Sequence, residues 1–340
     1  MNKIPQISRS IIEATRSVTG DGEHQLHIPD LTDQDRDSVS SCFDEGFVSS
    51  VGSKISQFER KLEDYTGAKH AIAVSSGTAA LHIALIAAGI KSDDEVLVPA
   101  LTFVATGNAI LYCGAVPHFI ESKEASFGID PILLNEYLDV VVDFNDRGEA
   151  VNKTTGRVIR AIMAVHIFGH ISDIKSLKNL ALKYNLSLIE DAAEALNSFY
   201  KKKHLGTFGK VGILSLNGNK IITSGSGGII LTNDKKIFNF CNHISSNSKI
   251  NHKWEYLHDG IGYNLKMPNL NAALAYSQLL DLKKIQENKN KLFKIYKKFF
   301  KKYESDIELV EPIKSSISNN WLISIKLKNR FINKKNEILN

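Results

Sequence analysis

Residues 215–228 read SLNGNKIITSGSGG, and the lysine in the middle of them, Lys220, decides how the rest of the chain is read. An apolar strand at 211–216 runs into the polar turn Asn217-Gly218-Asn219, and the apolar course resumes at Ile221-Ile222. Asn and Gly accept the tight backbone of such a turn, so the amine of Lys220 points off the end of a sheet. Taken alone, a lysine between two apolar segments is ordinarily a solvated loop charge. Two upstream segments change that reading. LSLIE (186–190) is a buried strand ending in Asp191 and the small residues Ala192 and Ala193, and the strand at 71–74 ends in Ser75-Ser76-Gly77-Thr78 and opens directly into an apolar helix.

An amine, a buried carboxylate and a small-residue helix N-terminus are what a pyridoxal phosphate enzyme needs: one to carry the cofactor, one to keep its pyridine nitrogen protonated, one to bind its phosphate. SSGTAAL (75–81), IEDAAEAL (189–196), SLNGNK (215–220) and GYNLKMPNLNAAL (262–274) resemble, in the same order, the motifs of the DegT/DnrJ/EryC1/StrS sugar aminotransferases. The similarity runs from Gly46 to Trp321. Within that family FVSSVG, VPALTFVATGNAI and TFGKVGILSLNGNKI are most similar to the LegC-like branch, which aminates UDP-linked 4-keto-6-deoxy-N-acetylhexosamines.

Periodicity supports the α/β class by itself. From residue 71 onward strand and helix patterns alternate, as in a parallel sheet covered by helices on both faces. Strands are expected at 71–74, 95–99, 116–120, 157–166, 186–190, 211–216 and 229–232, with helices at 78–88, 104–111, 174–184, 237–241 and 270–282. Ahead of them, Ile11 to Val18 is amphipathic, Thr32 is placed to cap a helix through Phe43, and Ile55, Phe58, Leu62 and Tyr65 form one stripe on a helix ending at Gly67. Residues 46–52 and 245–258 read as loops, and 143–155 as a polar surface excursion. The resemblance implies the fold of type I pyridoxal phosphate aminotransferases: residues 1–282 form an N-terminal segment and the large cofactor-binding domain, and 283–340 a small C-terminal α/β domain. Relatives continue past the point where this chain stops, so residues 321–325, WLISI, are expected as an exposed edge strand without its later partners, with poor solubility as the consequence.

The formal charge of +5 is a mild excess, concentrated in the lysine-dense stretch 283–302. There Ile285, Leu292, Ile295, Phe299 and Phe300 keep helical spacing, so the lysines read as a solvated helix face and not as a nucleic-acid site. Cys42, Cys113 and Cys241 lie far apart, without metal-ligand spacing or a disulfide framework, which fits a reducing cytoplasm. The N-terminus lacks an apolar core of signal-peptide length, and no apolar run reaches the roughly 18 residues of a membrane span, so a soluble protein is expected.

The resemblance assigns roles. Lys220 carries pyridoxal 5′-phosphate and moves the proton during transamination. Asp191 pairs with the pyridine nitrogen, though at a strand-to-helix turn it also suits a helix N-cap. Gly77, Thr78 and Ser215 bind the phosphate, and Asn264 reaches the phosphate of a neighbouring subunit, which makes the unit a homodimer. Phe103 stacks on the ring or is a core phenylalanine. Glu194 stands near the cofactor's 3-oxygen, where the family often has glutamine or histidine, and would repel a phenolate unless one of them is protonated. Phe47 and Ser49 belong to a loop over the substrate, and Lys266 replaces an arginine, losing its planar fork. His166 and His170 line the pocket or pack, with no third ligand for a metal. The expected reaction moves an amino group from L-glutamate to C4 of a nucleotide-linked 4-keto-6-deoxy sugar, UDP-2-acetamido-2,6-dideoxy-4-hexulose, in surface glycan biosynthesis. A sugar dehydratase and a truncated, inactive dimerisation partner are the competing readings.

Overall fold

The computed structural model describes residues 4–339; residues 1–3 of the expected N-terminal segment and Asn340 of the expected small domain lie outside the described residues. Three helices precede the sheet: α1 (Ile4–Thr19), α2 (Asp33–Asp44) and α3 (Ser53–Thr66). At the start of α2 Thr32 and Asp35 cap each other, the Asp35 amide donating to the threonine hydroxyl at 3.3 Å and the Thr32 amide to the carboxylate at 2.8 Å. Gly67 ends α3 in the left-handed region, with φ 72°.

The chain then alternates through β1 (His70–Val74), α4 (Gly77–Ala88), β2 (Glu95–Pro99), α5 (Val104–Tyr112), β3 (Val116–Ile120) and α6 (Pro131–Val141). A hairpin of β4 (Val142–Phe144) and β5 (Ala150–Asn152) leads to β6 (Ile159–Val165), α7 (Ile174–Lys183) and β7 (Ser187–Asp191). After the two-residue strands β8 (Phe199–Tyr200) and β9 (Lys203–His204) come β10 (Val211–Ser215), β11 (Gly228–Thr232), α8 (Lys235–Ile244) and α9 (Asn269–Leu280). The long α10 (Leu282–Phe300) leads to β12 (Ile307–Leu309), β13 (Ser316–Ile317), β14 (Ile325–Leu327) and α11 (Lys335–Leu339).

Seven strands form the central sheet in the order β1-β11-β10-β7-β6-β2-β3. The five from β10 to β3 are mutually parallel, and β11 runs antiparallel to both of its neighbours. Two apolar layers cover its faces. Leu97, Ile162, Leu188 and Leu214 face one, beside α3, α6 and α7. Val96, Val98, Ile189 and Ile213 face the other, beside α4, α5 and α8. Each such side chain, fully buried, contributes roughly 1.5–3 kcal/mol, and the two-residue period of a strand sends neighbours to opposite layers. A third apolar cluster, Ile7, Ala14, Phe300, Ile307, Phe331 and Ile338, joins α1 to α10, β12 and α11.

The end of β7 uses that alternation for chemistry, because Glu190 and Asp191 point to opposite sides of the sheet. Glu190 is wholly buried and accepts from the amides of Phe208 and Gly209 at 2.6 Å and of Gly206 at 2.8 Å, and pairs with His166 Nε2 at 3.0 Å. It therefore ties the 206–209 turn, and with it the start of β10, to β7. Packing there is tight enough that a Cβ on Gly212 would come 2.1 Å from the Gly206 carbonyl.

Three expectations are corrected. Residues 321–324 are not a strand; β14 begins at Ile325 and pairs antiparallel with β12, while Trp321 is buried, with only 5% exposed, because its indole turns inward to the Lys220 turn. The polar excursion at 143–155 contains the β4–β5 hairpin, held by Asn152 and Thr155 bonding to buried Glu95. The lysines of α10 are mainly exposed, but Lys289 is not part of a solvated face: its ammonium donates to His27 Nδ1 and to the Trp321 carbonyl. Helix α6 was readable and missed, since Asp130 caps it and Pro131 opens it.

Burial alone would push the Glu190 carboxyl up, but His166 and the amides hold it below the usual carboxylate range. A depressed folded-state value means that this contribution is present at neutral pH and lost as pH falls through it. Glu190→Gln leaves buried donors facing an amide NH2 and is expected to cost roughly 3–5 kcal/mol at pH 7. Urea denaturation at pH 7 and below pH 4.5 checks this, with the difference between variant and wild type shrinking in acid.

Candidate active site

A cavity of about 270 Å³ opens at the carboxyl ends of β6, β7 and β10, the place where open parallel sheets take their ligands. The register explains its floor: Val165 lies beside Asp191, Asp191 beside Ile213, and Gly228 beside both Val74 and Ser215. Gly228 has to be glycine, because a Cβ would lie 2.1 Å from the Ser76 carbonyl. That contact brings the start of α4 against the ends of β10 and β11. There Ser76 caps α4 by accepting from the Ala79 amide at 3.1 Å, and Gly77 packs so closely on Ser215 that a Cβ would stand 2.9 Å from its hydroxyl oxygen.

Asp191 is 5% exposed at the inner wall. Its Oδ2 accepts from the Thr106 hydroxyl at 2.8 Å and its Oδ1 from the Ala193 amide at 3.1 Å, while the Thr102 and Thr106 hydroxyls are 2.8 Å apart. Burial pushes its pKa up against the pull of those two donors and the Lys220 charge. Among the described residues no cation lies within ion-pair distance of it, so it faces the cavity as a carboxylate in want of a charged donor.

Lys220 follows the tight turn it was expected in, its amide donating to the Asn217 carbonyl at 3.0 Å. Its ammonium sits 3.4 Å from Glu194 Oε1 and 4.1 Å from the centre of the Trp321 ring, a cation–π distance. Glu194 also accepts from the Phe168 amide through Oε2 at 2.7 Å. Burial raises its pKa, and the Lys220 charge opposes the rise. Lys220 is thus fixed from two sides with its amine inside the cavity.

These features fit pyridoxal phosphate. The buried Asp191 suits a protonated ring nitrogen, the glycine-lined N-terminus of α4 suits a phosphate, and Lys220 supplies the amine. No described group of His, Cys, Asp and Glu is arranged to hold a metal ion.

Of the residues expected from sequence, Gly77, Thr78, Phe103, His166, Asp191, Glu194, Ser215 and Lys220 line this one cavity. Phe103 is 68% exposed, which removes its reading as a core phenylalanine. Asp191 caps no α-helix: β7 is followed by turns, so the N-cap alternative fails as well. His166 accepts from the Ser172 amide through Nδ1 at 3.2 Å, leaving Nε2 to donate to Glu190. His170 packs beside Phe127, and burial lowers its pKa to about 4.

Phe47, Ser49, Asn264 and Lys266 do not line the cavity. Asn269 at the start of α9 holds the 46–52 loop away, its side-chain amide donating to the Phe47 carbonyl at 2.7 Å and its backbone amide to the Ser49 carbonyl at 2.6 Å. The Lys266 ammonium bonds to the Asn242 side chain, and Asn264 lies on the exposed bridge opposite Ser246. Thr106 and Trp321 were missed. Thr106 had a readable signal, one helical turn from Thr102 and inside the VPALTFVATGNAI segment; Trp321 had none, because its partners are distant in sequence.

Thr106→Val keeps the side-chain volume and removes one donor to Asp191. The loss of a hydrogen bond to a charged group is expected to cost about 1.5–3 kcal/mol at pH 7, measured by chemical denaturation. The cofactor affinity of the variant should fall as well.

Comparison with known proteins agrees with this geometry. Over 300 residues the chain is 38% identical to a GDP-perosamine synthase of Escherichia coli O157:H7, covering 88% of this chain and 77% of the relative. It is 35% identical over 268 residues to the UDP-4-amino-4,6-dideoxy-N-acetyl-beta-L-altrosamine transaminase of Campylobacter jejuni, covering 78% and 67%. The Helicobacter pylori aminotransferase PseC, involved in the biosynthesis of pseudaminic acid, superimposes with a TM-score of 0.81 at 25% identity, over 92% of this chain and 80% of that one. With residues 29–340 matching the model of the DegT/DnrJ/EryC1/StrS aminotransferase family, the chain belongs to that family of pyridoxal phosphate-dependent sugar aminotransferases.

Proposed function

We propose that this protein transfers an amino group from L-glutamate to C4 of a nucleotide-linked 4-keto-6-deoxy sugar. The observation that carries the reading is the meeting of Lys220, Asp191 and the N-terminus of α4 in one cavity. When bound, pyridoxal phosphate supplies the electron sink for removal of the amino acid's α-proton. The chain's own residues do the rest. Lys220 would hold the cofactor through its side-chain amine, and the same amine, when free, would serve as the acid and base for the donor's α-proton. Asp191, oriented by Thr106 and the Ala193 amide, would pair with the ring nitrogen and favour its protonated form. Gly77, Thr78 and Ser215 anchor the phosphate, and Phe103 covers the ring. Glu194, 3.4 Å from the Lys220 amine, holds that side chain in place and would stand beside the cofactor's 3-oxygen.

A homodimer completes the site in this reading, with Asn264 reaching the partner's phosphate and Phe47, Ser49 and Lys266 serving the substrate across the interface. Trp254, Tyr256 and Ile261 support it: they are 79%, 83% and 84% exposed on the segment leading to Asn264, large side chains available to an interface. The third apolar cluster would be the core of the small domain, with the boundary at the α9–α10 junction. All three cysteines are free, and no described helix is long and apolar enough to cross a membrane, which supports a cytoplasmic location.

Two sugar classes compete. The FVSSVG and VPALTFVATGNAI segments favour UDP-2-acetamido-2,6-dideoxy-4-hexulose, whereas the 38% identity to a GDP-perosamine synthase favours a GDP-linked 4-keto sugar. A pocket built to bond an N-acetyl group leaves polar atoms unpaired around a hydroxyl sugar, at about 1–3 kcal/mol per lost partner. With glutamate as donor, the UDP sugar is expected to be turned over in preference to GDP-4-keto-6-deoxymannose; the reverse preference reassigns the sugar and keeps the reaction.

Borohydride reduction of the holoenzyme followed by peptide mapping is expected to place the pyridoxyl mass on the Lys220 peptide, and a label on Lys210 or Lys266 would overturn the assignment. Asp191→Asn should retain cofactor and lose most turnover, since an amide fills the space without holding a proton on the ring nitrogen.

A further inference from the structure

The segment 20–31 between α1 and α2 carries no regular structure and exposes its apolar side chains, Leu26 at 83% and Ile28 at 63%. His27 between them turns inward, and it does so onto the Lys220 turn. Its Nε2 lies 3.0 Å from the Lys220 carbonyl, and its Nδ1 lies 2.8 Å from the Lys289 ammonium. An ammonium can only donate, so Nδ1 accepts, the proton sits on Nε2, and His27 donates to the carbonyl of Lys220. Lys289 donates a second time, to the Trp321 carbonyl at 3.2 Å. The indole Nε1 of Trp321 donates to the Asn219 carbonyl at 2.6 Å while its ring covers the Lys220 ammonium. Two consecutive carbonyls of the turn, those of Asn219 and Lys220, are thus each gripped by a ring N–H, and one lysine from α10 bonds to the His27 ring and to the backbone of Trp321.

We infer that His27, held in its Nε2–H tautomer by Lys289, is a positioning residue that fixes the backbone of Lys220 and so sets where its amine stands. The inference rests on the reading of Lys220 as the cofactor-bearing residue. The turn needs such a clamp because Asn217-Gly218-Asn219 is intrinsically permissive, and a catalytic amine that has to return to one place after each turnover depends on a backbone that does not wander. Burial, reinforced by the Lys289 charge, lowers the His27 pKa to about 4, so the donating tautomer persists through neutral pH. Lys289 itself is lowered by burial to about 8. Neither His27 nor Lys289 lines the cavity, so His27 acts on the chemistry through the Lys220 turn, and Lys289 through His27 and Trp321.

The test compares His27→Leu with His27→Gln, whose side-chain amide can restore a donor near the Nε2 position. Three quantities are read: cofactor titration followed by the absorbance of the Lys220-bound form, the rate of the half-reaction with glutamate, and KM for the nucleotide sugar. His27→Leu is expected to weaken cofactor capture and slow the half-reaction, each by roughly fivefold, the worth of one neutral hydrogen bond. KM for the sugar should stay unchanged, and His27→Gln should recover most of the loss. Wild-type cofactor titration and half-reaction in His27→Leu would overturn the inference. So would a loss that His27→Gln fails to recover while the thermal midpoint drops, since that marks a purely structural role. Borohydride trapping of the wild type separates the two ideas: absence of label on Lys220 removes the cofactor reading, whereas label on Lys220 with indifferent His27 variants removes only the clamp.

Discussion

Two acidic residues side by side at the end of one buried strand are the constraint around which this molecule is built. Glu190 and Asp191 both leave water, and a carboxylate taken out of water has to be met by donors. The pleat sends them apart. Glu190 is met by three backbone amides and a histidine, and the price of satisfying it is a fixed 206–209 turn that delivers β10 in register. Asp191 is met by only two donors and keeps capacity toward the cavity. One acid therefore builds the scaffold that presents the other.

From that strand the rest of the site follows by adjacency. β10 lies next to β7, and its end at Ser215 leads into the Lys220 turn; β11 returns beside it and brings Gly228 against Ser76, which places the N-terminus of α4 over the same end of the sheet. Amine, carboxylate and helix end follow three different strands, β10, β7 and β1, so their convergence is a property of strand order and not of any one loop. The loops that did not converge are the ones tied elsewhere: Asn269 holds the 46–52 loop, and Asn242 holds Lys266. The first of these loops leaves Phe47, Val48 and Val51 exposed.

Much of this is legible in the sequence. The alternation of short apolar runs with amphipathic stretches placed all seven strands of the central sheet, strongest for those such as β2, β10 and β11 that are buried along their whole length. Glycine at 67 and threonine at 32 marked helix ends, because capping is chemistry between residues a turn apart. Asp191, Lys220, Gly77 and Thr78 stood out because strand ends followed by small or polar residues are where parallel sheets present their ligands. Residues 321–325 misled, because an apolar run containing Trp and Ile satisfies a strand pattern whether or not a neighbour is there to pair with it.

The sequence by itself thus determined the layers and the strand ends, local facts of periodicity and turn propensity, while the roles expected of the site residues came with the resemblance of their motifs. Only the tertiary structure decided which of those residues share a cavity, that Trp321 covers Lys220, that Thr106 supports Asp191, and that His27 and Lys289 meet behind the turn. His27 and Lys220 are 193 positions apart, and His27 and Lys289 are 262 apart. No local pattern encodes contacts over such spans, because they depend on where the segment before α2, the β10–β11 connection and α10 lie relative to one another.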